Sequence, residues 1–262
     1  MNLEVLVSTM NQNDFSLVEK MNIKNKALII NQGKKQCNNQ IIKNGNKIRI
    51  ITYNEKGLSK SRNRAIENME ADIGLFADDD IIYCDDYYEK IVKAHKKYED
   101  ADIIAFRVIR GDELRKKNFR HKLHWENYLT CLKISSVEIS FKLRSIRKKK
   151  LKFNEYFGAG SDEFLMGEEN IFLYNALDKG LNILYLPEKI GKLKNNRSSW
   201  FKGYNKNYFL SRGASYYAMN NRWYIFLILQ FAIRKYNRYK EKLNFIDALK
   251  FMLRGVKDYK KL

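Results

Sequence analysis

Three consecutive carboxylates, Asp78, Asp79 and Asp80, stand between two apolar segments of the chain, residues 73–77 and 81–83. Three acids beside a buried segment repel one another, and a divalent cation removes that repulsion. Hard cations such as Mg²⁺ bind carboxylate oxygens and keep waters and substrate phosphates as their other ligands. The triplet therefore predicts a metal–diphosphate site at the end of a strand. A polar turn in which one Asp caps the next helix is the alternative.

A second acidic pair, Glu168 and Glu169, follows the glycine-rich segment at residues 157–161. The pair begins a predicted helix that ends at Lys179, before Gly180. Carboxylates in the first turn are stabilised by the helix dipole, which is a purely structural explanation. Glycines also allow a substrate to approach the backbone closely, because they have no side chain. Both explanations stay open from these residues alone.

Nearly continuous apolar strands that alternate with helices predict an α/β fold, with a mostly parallel sheet covered on both faces. In such sheets ligands bind at the carboxyl ends of the strands. Three of these ends are polar, at residues 8–11, 31–33 and 78–80, and we expect them to converge. The predicted strands are residues 3–9, 27–30, 48–52, 73–77, 103–108, a half-buried 137–142, and 181–186; the predicted helices are residues 13–21, a helix capped by Ser59, and residues 85–98, 168–179, 223–233 and 245–256.

The totals are those of a globular protein: 262 residues, 45% of them apolar, with one proline. This length suits one large domain or a domain with an appendage. The three cysteines are far apart in sequence, which argues against a disulfide framework and fits a reducing compartment. No basic segment leads into a long apolar one at the N-terminus, so no signal peptide is expected. His121 and His124 have no acidic neighbour to complete a metal motif, so we expect them to be structural or solvent-facing.

Positive charge is concentrated toward the C-terminal end. The net charge is +20, and residues 192–262 contain 17 Lys and Arg against 3 Asp and Glu. This asymmetry indicates nucleic acid or an anionic membrane surface as a partner, or else a basic, solubilising face. The apolar segment at residues 223–233 is too short to span a bilayer, which needs about 20 residues. It predicts either a buried helix or a helix in the membrane interface, with four aromatic residues among the lipid headgroups: Trp223, Tyr224, Tyr236 and Tyr239.

Four segments, taken in order, resemble the family 2 glycosyltransferases, which are inverting enzymes with the Rossmann-like GT-A fold. The resemblance implies a mostly parallel central sheet flanked by helices. It divides the chain into a GT-A domain at residues 1–190 and a basic, aromatic, helical region at residues 191–262. The domain would have a nucleotide-sugar half at residues 1–110 and an acceptor half at residues 111–190. The segments are residues 7–11 (VSTMN), 57–66 (GLSKSRNRAI), 76–80 (FADDD), and 157–161 with 167–170 (FGAGS and GEEN).

The resemblance implies a nucleotide-sugar site on the first half of the chain. Thr9 and Asn11 would contact the nucleoside, and Asp79 would belong to the same site. Asn31 stands where the family usually has an Asp that holds uracil, and an amide presents different donors and acceptors to a base edge. Arg62 would lie over the base or near the diphosphate. The expected donor is therefore a nucleotide sugar, with UDP as the nucleotide.

The resemblance also implies a divalent cofactor, Mn²⁺ or Mg²⁺. Asp80 would ligate the metal most directly, and Asp78 would contact the ribose or metal-bound water. Many relatives place a metal-binding His after the strand that ends near residue 187, and this chain has Lys192 and Lys194 in that region instead. We expect either a metal with fewer protein ligands or a direct contact between a lysine and the diphosphate.

The acidic pair matches the family's catalytic carboxylates. Glu169 is the implied general base, which takes the proton of an acceptor hydroxyl as that oxygen attacks the anomeric carbon. Glu168 would hold an acceptor hydroxyl. The members that the chain most resembles build capsules, O-antigens or other cell-surface glycans. The expected acceptor is therefore a glycan or a lipid-linked sugar, and the protein is expected in the cytoplasm, peripheral to the inner face of the cell membrane.

Two other classes of protein share some of these sequence features. A metal-dependent nucleotidyltransferase also uses acids at strand ends, but it generally has a glycine-rich, basic loop after the first strand, and residues 10–14 (MNQND) have neither feature. A basic nucleic-acid-binding protein fits the charge and the Tyr and Phe content, but no recognition motif is present. The sequence therefore favours an enzyme, with no nucleic-acid partner.

Overall fold

The structure is a computed structural model that describes residues 1–110, 120–194 and 203–262. It contains two compact units. The sheet unit comprises Met1–Lys56, Lys60–Lys152 and Ala176–Arg197, and the helical unit comprises Gly57–Ser59, Phe153–Asn175 and Ser198–Leu262. The division at residue 190, expected from the sequence, stays a prediction.

Ten strands form one mixed sheet in the sheet unit. They are β1 (Leu3–Met10), β2 (Lys26–Gln32), β3 (Cys37–Lys43), β4 (Asn46–Tyr53), β5 (Ile73–Asp78), β6 (Ile81–Tyr83), β7 (Ile103–Ile109), β8 (His124–Trp125), β9 (Ile139–Lys142) and β10 (Ile183–Leu193). Their order is β3-β4-β2-β1-β5-β9-β7-β10-β6, and β8 pairs with β10. Strands β4, β2, β1 and β5 are parallel to their neighbours in this set, as the apolar runs predict.

The parallel strands are buried along nearly their whole length. In β1, only the last residue, Met10, is exposed. Strand β9 inserts antiparallel between β5 and β7, and all four of its residues are buried. The expectation of a half-buried strand at residues 137–142 is therefore wrong, because neighbouring strands flank β9 on both sides and packed elements cover both of its faces.

Eight helices complete the described chain. They are α1 (Leu17–Lys20), α2 (Leu58–Asn68), α3 (Tyr87–Lys97), α4 (Leu143–Lys148), α5 (Glu168–Asp178), α6 (Lys206–Met219), α7 (Tyr224–Tyr239) and α8 (Phe245–Tyr259). A short 3₁₀ helix at Ser136–Glu138 precedes β9. The helix expected at residues 13–21 is reduced to the single turn of α1.

Two local expectations are corrected by the structure. Ser59 does not cap α2 but lies inside it, buried, and its hydroxyl donates to the carbonyl of Phe157 at 2.6 Å. The acid triplet does not begin a helix, because β5 ends in Asp78 and the turn after it leads into β6. The capped-helix alternative for the triplet is therefore wrong.

Helices α6 and α8 pack closely in the helical unit because glycine occupies both crossing positions. A Cβ on Gly213 would lie 1.9 Å from the carbonyl oxygen of Met252, and a Cβ on Gly255 would lie 2.0 Å from that of Leu210. Either contact is sterically impossible, so the two backbones could not approach in this way with any other residue.

Helix α7 has two apolar faces. Leu227, Ile228, Phe231 and Ala232 form a buried stripe, as expected for a core helix. A second stripe is exposed, and it includes Trp223, Phe226, Leu229, Ile233 and Tyr236. The expectation that Tyr239 lies among lipid headgroups is wrong, because its ring is buried and its hydroxyl donates to the carbonyl of Ala232 at 2.8 Å. None of the described helices combines the length and the apolar character needed to cross a membrane.

Candidate functional site

The polar ends of three neighbouring strands lie side by side in the sheet unit. Thr9 of β1 is in register with Asn31 of β2, and Ser8 is in register with Asp78 of β5. The Thr9 hydroxyl donates to Asp79 Oδ2 at 2.6 Å. The structure therefore brings Thr9, Asn31 and the triplet to one edge of the sheet, as the strand pattern predicts.

Arg62 is a buried cation beside the triplet. Its side chain is only 2% exposed, and Nη2 donates to Asp78 Oδ1 at 3.1 Å and to Ser136 Oγ at 2.7 Å. Helix α2 is held at this edge by Ser61, whose hydroxyl donates to Ser8 Oγ at 2.9 Å. Arg62 therefore fixes the position of the Asp78 carboxylate. Ser136 has no motif around it, and sequence patterns alone did not identify it.

Asn31 supports the loop that follows β1. Its Oδ1 accepts from the backbone N–H of Gln12 at 2.8 Å, and its Nδ2 donates to the carbonyl of Gln12 and the hydroxyl of Thr52, each at 3.0 Å. Both amide hydrogens are thus engaged, and one lone pair of Oδ1 remains. Asn11 takes a left-handed backbone conformation in this loop, with φ of 54°.

Asp80 lies where burial and its neighbours oppose its charge. Burial raises the pKa of this carboxyl, as do the charges of Asp78 and Asp79, while Arg110 acts in the opposite direction. Arg110 directly follows β7. Since β7 has the same direction as β5, the rule of polar strand ends could have identified Arg110.

The two candidate lysines follow or end β10 next to the triplet. The backbone N–H of Lys194 donates to the carbonyl of Asp80 at 2.8 Å. Lys192 pairs with Ile82 across the antiparallel β10–β6 ladder. Both lysines are exposed. Their ammonium groups are therefore available to an anion at this edge of the sheet.

The donor set at the triplet fits a hard divalent cation with few protein ligands. In the described part of the chain, no three His, Cys, Asp or Glu side chains are grouped as a metal site. Burial and the neighbouring charges of Asp78 and Asp79 raise the pKa of Asp80, and a bound cation would offset both effects. Mg²⁺ commonly binds through one or two carboxylates and completes its shell with water and phosphate. Asp80 and Asp78 would supply those carboxylates.

The acidic pair begins α5 in the helical unit. Glu168 is buried and packs on Gly158, where an added Cβ would lie 3.2 Å from Glu168 Cδ. Glu169 is half-buried. The residue before the pair, Gly167, has φ of +104°, and an added Cβ would lie 2.6 Å from Ser215 Cβ on α6. The glycines of this segment are therefore required by the protein's own packing.

The predicted site residues fall into two groups. Thr9, Asn11, Asn31, Arg62, the triplet and both lysines belong to the sheet unit, while Glu168 and Glu169 belong to the helical unit. His121 and His124 lie apart from both groups in sequence. The Nε2 of His124 is 3.1 Å from the buried carboxylate of Glu126, so the expectation that no acid lies near the two histidines is wrong, while the contact is consistent with the expected structural role.

A family model described as glycosyl transferase family 2 matches residues 16–163, which is more than half of the chain. The match includes Arg62 and the triplet and ends before Glu168. A comparison with the curated proteins finds no significant match.

Solved structures share the fold of this chain at low sequence identity. Residues 1–349 of S. aureus TarS in complex with UDP-GlcNAc align with a TM-score of 0.66 and 14% identity, over 98% of this chain and 82% of that one. The same fragment in complex with UDP aligns with a TM-score of 0.62 and 14% identity, over 98% and 81% of the two chains. This likeness shows the GT-A fold.

Proposed function

The chain belongs to glycosyl transferase family 2 and is a glycosyltransferase with the GT-A fold, and we propose that it is an inverting enzyme that uses a UDP-sugar. The acceptor would be a hydroxyl of a glycan or a lipid-linked sugar in the synthesis of a cell-surface polysaccharide. The observation that carries this proposal is the hydrogen-bonded cluster of Thr9, Asp79, Asp78 and Arg62 at one sheet edge. The UDP-GlcNAc and UDP complexes of TarS support the class of donor.

The sheet unit supplies the donor-binding groups in this proposal. Thr9, Asn11 and Asp79 contact the nucleoside, and Asn31 offers the remaining lone pair of Oδ1 to the base. Lys192 and Lys194 bring two exposed cations to the diphosphate. Cations placed near a leaving diphosphate stabilise the charge that develops on it in the transition state.

A divalent cation, Mn²⁺ or Mg²⁺, held by Asp80 and Asp78 would neutralise charge on the departing diphosphate. Arg62 fixes Asp78 from the protein side. Since Asp78 is shared between Arg62 and the metal, the affinity for metal is expected to be modest, and the lysines would assist in its place.

The helical unit supplies the base. Glu169 takes the proton of the acceptor hydroxyl as its oxygen forms the new bond, and Glu168 holds the acceptor in place. General-base catalysis of this kind typically contributes about 10²- to 10⁴-fold to the rate. The departing nucleoside diphosphate leaves from the opposite face of the sugar, so the anomeric configuration is inverted.

The test separates donor binding from proton transfer. UDP-, GDP-, CMP- and dTDP-sugars are screened by thermal shift and by donor hydrolysis, with and without Mn²⁺, on wild type, Asp80→Asn and Glu169→Gln. Bound donor raises the melting temperature, because a ligand of the native state stabilises it. We expect Asp80→Asn to reduce the shift given by a UDP-sugar, and Glu169→Gln to keep the shift and lose turnover by about 10²-fold or more.

The exposed acid Glu163, five residues before the pair, gives the matched control. Glu163→Gln should retain both the shift and the turnover. Full turnover in Asp80→Asn and Glu169→Gln would remove the site assignment, while absence of any shift with all four nucleotide classes would remove the proposed donor. Transfer of the nucleotide in place of the sugar would favour the nucleotidyltransferase alternative.

We further propose that the exposed stripe of α7 binds an anionic membrane surface, at the cytoplasmic face. Trp223, Phe226 and Ile233 are each about two-thirds exposed, at 66%, 64% and 67%. Helix α7 contains no acidic residue, and the exposed cations Arg222 and Arg234 lie at and near this stripe. A helix with an apolar face and flanking cations suits the interface of an anionic bilayer and would bring a lipid-linked acceptor within reach.

Flotation with vesicles tests the membrane proposal. Wild type should float with vesicles that contain phosphatidylglycerol and not with pure phosphatidylcholine, and a Trp223→Ser/Phe226→Ser variant should remain in the bulk phase. Ile42→Ser is the matched control, since Ile42 is also exposed but lies on β3. Sedimentation velocity distinguishes a self-association surface: a dimer that the double variant dissociates, without vesicle binding, would overturn the proposal. Stronger binding to random-sequence RNA than to vesicles would also overturn it.

A further inference from the structure

Arg212, in the middle of α6, is enclosed by aromatic rings. Its guanidinium carbon is 5.5 Å from the ring centroid of Tyr208, 5.8 Å from that of Tyr216 and 5.5 Å from that of Phe231. Burial raises the pKa of Tyr216 to about 12, so this ring carries no charge at physiological pH. The cation is therefore held by the faces of neutral rings, which attract it without neutralising it.

The hydrogen-bonding capacity of Arg212 is largely unused. A guanidinium has five N–H donors. Its Nη2 donates to the Tyr208 hydroxyl at 3.3 Å, and its Nε is buried without a hydrogen-bond partner. Among the residues that the structure describes, no carboxylate forms an ion pair with Arg212. Such a group has donors and charge to offer to a ligand with oxygen acceptors, and the residue as a whole is only partly buried.

Arg212 lies in the same helical unit as the acidic pair. Its charge interacts with that of Glu169, although the two do not form an ion pair. The same helix supports the approach to that pair, because Ser215 packs against Gly167. The contact between α6 and Gly167, together with this charge interaction, places the guanidinium in the neighbourhood of the carboxylate that we propose as the general base.

We propose that Arg212 forms an anion subsite beside Glu169 that binds a phosphate or carboxylate group carried by the acceptor. This inference rests on the proposed function, in which Glu169 takes the proton of the acceptor hydroxyl. The planar guanidinium matches an oxyanion through paired N–H donors. The surrounding rings lower the polarity around the guanidinium, which strengthens such a bond. The acceptor class is thus narrowed to glycans that carry an anionic group near the hydroxyl that is glycosylated.

The test measures binding of inorganic phosphate and of glucuronate to the full chain by calorimetry. Wild type should bind at least one of them, and Arg212→Met should bind it about tenfold or more weakly, since a hydrogen bond to a charged group contributes about 1.5–3 kcal/mol. Arg212→Lys keeps the charge and loses the fork, so it should fall between the two. Preference for phosphate indicates a phosphorylated acceptor, and preference for glucuronate indicates a uronic acid.

A control variant isolates the subsite. Arg254→Met removes an exposed cation of α8 that no proposed site includes, so it should not change the anion affinity attributed to Arg212. Phosphate bound at the proposed diphosphate site is accounted for by repeating the titration on Lys192→Met/Lys194→Met, in which the loss caused by Arg212→Met should persist. Circular dichroism and melting temperature establish that each variant is folded. A purely structural Arg212 would lower the melting temperature and leave the affinity for both anions unchanged, and that result would overturn the inference.

The same variants separate this inference from the proposed function. If UDP still shifts the melting temperature and both anions bind equally to wild type and Arg212→Met, the subsite fails and the glycosyltransferase assignment stands. If no nucleotide sugar binds or is hydrolysed, the proposed donor fails, whereas the anion affinities still report on Arg212.

Discussion

The polar groups of the two units are organised differently. At the edge of the sheet, Thr9 is bonded to Asp79 and Arg62 is bonded to Asp78, so these predicted site residues are held by one another. In the helical unit, the cation Arg212 makes one long hydrogen bond and no ion pair within the described chain. The groups at the sheet edge are therefore already bonded to one another, whereas Arg212 retains N–H donors that have no protein acceptor in the described chain.

Because of this difference, we expect substitutions in the two groups to change stability and function in different proportions. Removal of a buried group with several partners leaves those partners unsatisfied, so stability falls together with function. Removal of a group with few partners leaves little unsatisfied, so function falls with a smaller loss of stability. Substitutions in the sheet unit should therefore be measured by unfolding as well as by activity, and those at Arg212 chiefly by ligand binding.

The largest effect is expected for Arg62→Met. This change keeps the apolar part of the side chain but leaves Asp78 and Ser136 without their shared donor. The free energy of unfolding should fall by about 3 kcal/mol, because the buried hydroxyl of Ser136 and the partly exposed carboxylate of Asp78 both lose this donor. Urea unfolding measures this change, and UDP-sugar binding should be lost in the same variant.

Arg64→Met is the matched control on the same helix. Arg64 is 41% exposed and pairs with Glu55 and Glu67. Exposed pairs contribute about 1 kcal/mol or less each, so the loss should be small. If Arg212→Met destabilises the protein as much as Arg62→Met does, the expected difference in stability between the two units is contradicted.

The sheet and one group of site residues can be predicted from the sequence because they depend on the pattern of apolar and polar residues within short segments. Apolar runs that end in polar residues indicate buried strands with ligand-facing ends, and Thr9, Asn31 and the triplet follow from that pattern alone. The same rule extends to Arg110 after β7. The rule does not predict strand β3 (Cys37–Lys43), because an exposed edge strand has few buried positions and therefore no apolar run.

The features that the sequence does not predict depend on contacts with partners from distant parts of the chain. Ser59 has the type and place of a helix cap, but its hydroxyl donates its hydrogen bond to the carbonyl of Phe157. Arg212 and Ser136 carry no motif, and their roles come from packing: Phe231 of α7 lies over one, and Arg62 of α2 is bound to the other. Local patterns report which residues are buried, whereas tertiary contacts decide with whom they pair.

A smaller loss is expected for Gly167→Ala, in the helical unit. The positive φ and the 2.6 Å contact with Ser215 both oppose a side chain there, so unfolding free energy should fall by about 2 kcal/mol. Turnover should fall further, because the start of α5 must shift. Gly180→Ala is the control: its φ is also positive, at +73°, but no atom lies within 4 Å of an added Cβ, so a loss of about 1 kcal/mol is expected. Equal losses of unfolding free energy in the two variants would show that Ser215 can move away from the added side chain at little cost.

The effect that is smallest near neutral pH is a dependence of stability on pH in the sheet unit, which contains all three histidines. Burial lowers the pKa of His95 to about 3, and Lys142 adds to this effect. Between this value and the unfolded value near 6.5, the unfolded chain binds a proton that the native protein does not, so stability falls as the pH falls. Relative to His95→Gln, wild type should lose about 1.4 kcal/mol per pH unit below about pH 6 in urea unfolding. A constant difference between the two proteins from pH 7 to pH 4 would show that His95 is protonated in the native state.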